Sequence, residues 1–172
     1  PEHQTPAELS IAEIQQIQDA FVSAARRVLE SGFEWLELHA AHGYLIHEFY
    51  SPLSNHRKDE YGGSYENRVR FLMETVKKLR AVWPQALPFT VRLSGTDWTE
   101  GGWSIDESIL LARQLKIAGV DLIDCSSGGN VADAKLPLGA GYQVPISEAV
   151  QKGAEIRTAT VGLITSPQHA AS

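Results

Sequence analysis

Apolar residues recur every three or four positions in three stretches of the chain, and this spacing predicts amphipathic helices. The first helix is predicted over 11–28, behind a Ser10 and Glu13 pair with the spacing of a capping box. The second can begin at Ser64 and must finish before Pro84, because proline disfavours helical geometry in the residue before it. A third is predicted over 105–118, with a further capping box ahead of it, and a short fourth around 146–152.

Short apolar runs lie between these helices and predict strands. The predicted strands are Phe33–His39, Phe89–Ser94, Val120–Ser126 and Thr160–Ile164. The segment after the first strand is rich in polar and turn-forming residues and is expected to be a long loop. Strands that alternate with helices pair in parallel through right-handed crossovers, so the pattern predicts an α/β fold.

The two faces of the second predicted strand differ in polarity. One face carries Phe89, Val91 and Leu93, and the other carries Thr90, Arg92 and Ser94. A doubly wound sheet is covered by helices on both sides, whereas a polar face suits the interior of a (β/α)8 TIM barrel near its mouth. A complete barrel needs about 250 residues, so this chain is predicted to be a fragment covering roughly half of one.

Composition and charge exclude several classes of protein. The 172 residues are 43% hydrophobic and 21% charged, with a formal net charge of −6, so the chain is globular and nucleic acid is not an expected partner. Cys125 is the only cysteine, which excludes an internal disulfide and favours a reducing cytoplasm. No apolar run is long enough to span a bilayer, and no membrane partner is expected.

The densest group of chemically capable residues is His39, His42 and Tyr44, at the carboxyl end of the first predicted strand. Parallel α/β folds place their functional sites at this edge. Two imidazoles can donate hydrogen bonds to one oxygen and stabilise negative charge on it, and a tyrosine adds a weak acid. On spacing alone, ordinary loop and capping roles for these residues have equal weight.

Four possible metal ligands, His39, His42, His47 and Glu48, fall in one short stretch. The spacing nevertheless does not favour a metal site. Ser51 stands where a metalloprotease motif needs its second histidine, and no cysteine pair accompanies the group.

Arg92 is the one cation on the polar face of its strand. A guanidinium inside a barrel needs an anionic or carbonyl partner. An internal ion pair with Glu37 and a role in binding a ligand are equally compatible with the sequence.

Six motifs occur in one order along almost the whole chain. They are His39–Leu45, Ser51–Asn55, Asp59–Ser64, Glu66–Phe71, Val91–Ser94 and Asp124–Gly129. Together they resemble the old yellow enzyme family of FMN-dependent ene reductases. The second histidine, His42, resembles the thermophilic-like bacterial branch, since another branch carries Asn there.

The resemblance implies that residues 1–172 are part of a single FMN-binding TIM-barrel domain and supply its fourth to seventh strands. It also implies that His39 and His42 bind the substrate oxygen, and that Tyr44 donates a proton to the α-carbon. By the same resemblance, Arg92 would contact the flavin ring. Backbone groups of Gly162, Leu163 and Ile164 would contact the flavin phosphate.

The activity implied is hydride transfer from NADPH or NADH through FMN to the C=C bond of an enone, enal or nitroalkene. The expected partner is thus a small activated alkene, and the complete protein is expected to form a homo-oligomer. Two alternatives stay open. One is the flavin barrel of a dienoyl-CoA or trimethylamine-dehydrogenase-type reductase, and the other is a non-catalytic half-barrel that serves as an association module.

Overall fold

The computed structural model describes residues 6–171, and within them one parallel sheet carries strands in chain order. The strands are β1 (Leu36–Ala40), β2 (Phe89–Ser94), β3 (Leu122–Ser126) and β4 (Arg157–Thr160). The helices are α1 (Ile11–Glu30), α2 (Leu45–Tyr50), α3 (Tyr65–Arg80), α4 (Ile105–Ile117), α5 (Val144–Ala154) and α6 (Pro167–Ala171). Sequential parallel pairing with intervening helices confirms the predicted α/β class.

Helix starts are where the capping signals predict them. In α1 the Ser10 hydroxyl accepts from the Glu13 backbone N–H, while the Glu13 carboxylate accepts from the Ser10 backbone N–H. Ser104 and Glu107 form the same reciprocal pair at α4. Each box satisfies backbone donors that a helix start otherwise leaves unpaired, which explains why these two helix starts can be predicted from the sequence.

Several elements differ from the prediction. The segment expected to be a loop after β1 contains α2, whose residues Ile46, Phe49 and Tyr50 are buried. β1 and β3 begin later than predicted, because each starts where a neighbouring strand begins to pair with it.

The fourth strand is also shifted from its predicted position. It covers Arg157–Thr160 rather than Thr160–Ile164. Positive φ angles of 119° at Gly162 and 56° at Leu163 turn the backbone out of extended geometry, so residues 162–164 form the loop that follows β4.

The two faces of the sheet have the polarity predicted from β2. Side chains on the outer face pack into a continuous core with the helices, including Leu38, Val91, Leu93, Ile123, Phe71, Leu111, Leu115 and Ile146. The strand register places His39, Arg92 and Asp124 side by side on the opposite, inner face. Polar groups therefore line up across neighbouring strands on one open side of the sheet.

None of the helices within residues 6–171 combines the length and the apolar character that a membrane crossing requires.

Candidate functional site

The two predicted histidines lie together at the carboxyl edge of the sheet. Their ring centroids are 5.1 Å apart. His39 is the penultimate residue of β1, and His42 follows in a turn with a left-handed φ of 62°. The Ser94 hydroxyl holds this turn, since it accepts from the His42 backbone N–H at 2.9 Å and donates to the Gly128 carbonyl.

Tyr44 completes the group of aromatic rings. It is the N-cap residue of α2, and its ring centroid lies 5.4 Å from that of His39. Tyr44 is 64% exposed, which leaves its side chain accessible to a molecule bound beside the histidines. The structure thus brings His39, His42 and Tyr44 to one place, as the sequence predicts.

The environment favours neutral imidazoles. Burial lowers the pKa of His39, and the positive charge of Arg92 lowers it further. Burial also lowers the pKa of His42, with His39 as the next cause. A neutral imidazole has one N–H, so each ring can donate one hydrogen bond at neutral pH.

A buried polar network braces the turn that carries His42. The side chains of His47 and Asp97 are fully buried, and His47 Nε2 lies 2.9 Å from Asp97 Oδ1. The other ring nitrogen of His47, Nδ1, accepts from the backbone N–H of Gly43 at 2.9 Å. The second oxygen of Asp97 accepts from Ser51 Oγ at 2.6 Å and from the Trp103 backbone N–H at 2.8 Å.

This network ties the loop after β1 to the loop after β2. In the sequence, His47 is a candidate only for a metal ligand, and Asp97 is not among the candidate site residues. Asp97 could have been found from its position shortly after β2, because this places it at the same carboxyl edge of the sheet as His39. Within residues 6–171, no group of three or more His, Cys, Asp or Glu side chains could hold a metal ion.

The stability of the protein should depend on the charge of Asp97. Burial on its own raises the pKa of Asp97, but hydrogen bonds from His47, Ser51 and Trp103 outweigh it, and the pKa is lowered. A carboxyl with a lowered folded-state pKa stabilises the fold above its unfolded pKa of about 3.9, and this contribution disappears as the pH falls through the folded value. We therefore expect the free energy of unfolding, measured with urea, to fall steeply below about pH 4.

The matched variant is Asp97→Asn, which lacks the titrating group. Its free energy of unfolding should be lower at pH 6 and should change less between pH 6 and pH 3. An unchanged pH dependence in this variant would show that other carboxyls cause the loss of stability at low pH.

The structure pairs Arg92 with Asp124 and not with Glu37. Arg92 Nε lies 3.3 Å from Asp124 Oδ2. The register explains the difference, because Arg92 is directly beside Asp124 while Glu37 is aligned with Thr90 and accepts from its hydroxyl at 3.1 Å. Arg92 Nε and Asp124 Oδ1 are buried and complete no hydrogen bond within residues 6–171. This polar pair is therefore suited to a further polar ligand on the inner face.

Gly162, Leu163 and Ile164 lie in the loop after β4, at the carboxyl edge of the sheet. The Gly162 carbonyl accepts from the Gly141 backbone N–H at 2.7 Å, which anchors the loop. A Cβ atom at Gly162 would lie 3.1 Å from the Tyr142 ring, so the backbone is packed closely there. The predicted phosphate contacts of these three residues stay a prediction.

Comparison with known proteins agrees with the motifs. The model of the NADH:flavin oxidoreductase / NADH oxidase family matches residues 2–172. An NADPH dehydrogenase of Bacillus velezensis is 52% identical over 162 residues, which cover 94% of this chain and 47% of the relative. The chain thus spans about half the length of that relative.

Solved structures give the same result. A 2-naphthoyl-CoA reductase in complex with 2-naphthoyl-CoA is 31% identical with a TM-score of 0.87, over 95% of this chain and 26% of the other. Morphinone reductase is 25% identical with a TM-score of 0.77, over 97% of this chain and 44% of the other. The resemblance to old yellow enzymes drawn from the motifs is confirmed, and the chain belongs to the NADH:flavin oxidoreductase / NADH oxidase family.

Proposed function

We propose that the protein carrying this chain is an FMN-dependent ene reductase that uses NADPH or NADH to reduce an enone, enal or nitroalkene. The observation that carries the proposal is the pair of imidazoles at the carboxyl edge of the sheet, 5.1 Å apart. Family membership adds the flavin chemistry, and the exposed Tyr44 beside His39 adds a proton source.

The two histidines act on the oxygen of the substrate. Each neutral ring donates one N–H, and both hydrogen bonds strengthen as negative charge grows on the carbonyl or nitro oxygen during reduction. The lowered pKa values of His39 and His42 keep the rings neutral, which leaves no need to desolvate a charged imidazolium when the substrate binds. Tyr44 delivers the proton that the α-carbon requires.

The inner face of the sheet fits FMN. FMN, when bound, supplies the hydride chemistry that protein side chains lack. Arg92, whose side chain is partly exposed on this face beside Asp124, would bind the polar edge of the ring. The loop 162–164 would bind the phosphate through its backbone. In this proposal residues 1–172 are part of a single FMN-binding domain, roughly half of a (β/α)8 barrel, in a cytoplasmic homo-oligomer.

If Tyr44 is the proton donor, only one of the two half-reactions of the catalytic cycle depends on it. Tyr44→Phe in the complete protein should slow the reaction with the alkene by about 10²-fold, within the usual range for a general acid. The reaction with NADPH consumes no proton from Tyr44 and should keep its rate. Stopped-flow measurement of each half-reaction tests this, and equal slowing of both would remove Tyr44 from the proton-donor role.

A second candidate is supported by the likeness to 2-naphthoyl-CoA reductase, whose TM-score of 0.87 exceeds that of morphinone reductase. In that case the chain is the flavin barrel of a larger reductase of the dienoyl-CoA or trimethylamine-dehydrogenase type. Such a reductase would carry an iron–sulfur cluster outside residues 1–172. Iron and sulfide analysis of the complete protein distinguishes the two, because the ene reductase should contain neither.

A further inference from the structure

The His42 ring contacts the buried side chain of Ser126, at the end of β3. His42 Nε2 lies 2.7 Å from Ser126 Oγ. In a neutral imidazole one nitrogen carries the hydrogen and the other accepts, so His42 either donates to this hydroxyl or accepts from it. The partner of the Ser126 proton decides which nitrogen of His42 is protonated.

Within residues 6–171, the single proton of the Ser126 hydroxyl has two acceptors in reach. The first is His42 Nε2 at 2.7 Å, and the second is Gln143 Oε1 at 3.4 Å. Hydroxyl hydrogen bonds are usually about 2.5–3.0 Å long, so the second contact is too long to compete. Gln143 Oε1 accepts from the Ser127 hydroxyl at 2.5 Å and keeps a second lone pair, so it is the distance that excludes it as the acceptor of the Ser126 proton. The shorter contact to His42 therefore takes the proton.

The orientation of the Gln143 amide does not change this assignment. An amide turned with its nitrogen toward the two serines would donate to Ser126 Oγ, and the Ser126 proton would again be left for His42. Gln143 and Ser127 are both buried, which holds the amide beside Ser126 in a fixed position.

We propose that Ser126 donates its proton to Nε2 of His42 and thereby fixes the Nδ1–H tautomer of that ring. Ser126 is then a positioning residue that acts through His42. The Nδ1 atom has no hydrogen-bond partner within residues 6–171, so its N–H is free to bind a ligand. The opposite tautomer would present a lone pair there and repel the oxygen of a carbonyl or nitro group. This consequence for substrate choice rests on the proposed function.

His47 provides an internal reference, because its contacts fix the opposite tautomer to the one proposed for His42. Its Nδ1 accepts from the Gly43 backbone N–H, which cannot reverse its role as a donor. The hydrogen of His47 therefore lies on Nε2, where it donates to Asp97 Oδ1. His42, in the turn after β1, and His47, in α2, thus carry opposite tautomers, each dictated by its neighbours.

Nuclear magnetic resonance of the complete protein with ring-15N histidine tests the assignment directly, because protonated and unprotonated ring nitrogens resonate far apart. Spectra at pH 8 observe the neutral rings, and His42→Gln identifies the His42 signals. We expect a protonated Nδ1 and an unprotonated Nε2 for His42, and the reverse for His47. A His42 ring with its proton on Nε2 would overturn the proposal without any variant.

The variants then test the cause. Ser126→Ala should reduce the Nδ1–H form of His42 from almost the whole population to a minority, since a neutral histidine in water prefers Nε2–H. Ser126→Thr keeps the hydroxyl and should restore the parent tautomer, while Ser127→Ala should leave it unchanged. In all three variants the His47 signals should not move, which also reports that the fold is intact. An unchanged His42 tautomer in Ser126→Ala would refute the role of Ser126.

This result is independent of the proposed activity. A protein that shows the Nδ1–H tautomer but reduces no activated alkene would refute the ene reductase and leave the Ser126 assignment standing. A protein that reduces alkenes with His42 protonated on Nε2 would do the opposite.

Discussion

Replacing His47 with alanine is expected to lower the free energy of unfolding by about 3 kcal/mol or more, because a buried charge loses a partner. Asp97 is fully buried, and among the partners that residues 6–171 provide it would keep the hydrogen bonds from Ser51 and Trp103 alone. The Gly43 backbone N–H would also lose its acceptor, and the imidazole would leave a cavity in the core. Urea unfolding of the parent and the variant at pH 7 measures the loss.

His56→Ala is the matched control, because it removes the same side chain from an exposed position. Its effect should stay within about 0.5 kcal/mol. The double variant His47→Ala/Asp97→Asn should lose less than the sum of the two single losses, because the uncompensated charge is removed with its partner. Strictly additive losses would show that the two side chains do not stabilise each other.

The second large effect concerns the histidine pair. His39→Ala and His42→Ala in the complete protein should each lower kcat/KM for an enone by about 10²-fold, the usual effect of losing one donor to a developing oxyanion. This corresponds to about 2.7 kcal/mol of transition-state stabilisation. Steady-state kinetics with NADPH and 2-cyclohexen-1-one measure it.

The double variant adds a test of joint action. When two groups bind the same oxygen, the loss from removing both differs from the sum of the single losses, and the coupling energy measures their cooperation. His56→Ala should keep the parent kcat/KM, because His56 is exposed and contributes to no part of the proposed site. A parent-like value in either single variant would exclude that histidine from substrate binding.

Most of the correct predictions came from patterns among residues that are close together in the sequence. Capping boxes located the starts of α1 and α4 because they satisfy backbone donors within four residues of one another. The alternation of polar and apolar residues in β2 predicted its two faces, since side chains of a strand point in alternate directions. The position of His39 and His42 followed from the same parity and from the short turn after β1.

Contacts between residues far apart in the chain could not be predicted from the sequence. The partner of Arg92 depends on the register of β2 and β3, which only the packed sheet defines, and it is Asp124 instead of Glu37. The buried pair of His47 and Asp97 joins positions far apart in the chain. α2 was missed because its six residues are too few to show a helical period, and it is stabilised by burial of Phe49 and Tyr50.

If the proposed function is correct, the complete protein carries a flavin that exchanges electrons with an activated alkene. An anaerobic spectrum of the purified protein tests it in one experiment, with NADPH added first and 2-cyclohexen-1-one second. We predict visible flavin bands that NADPH bleaches and the enone restores, at a rate at least about 10²-fold lower in the His39→Ala/His42→Ala variant. Absence of the bands, or recovery at the same rate in parent and variant, would contradict the proposed function.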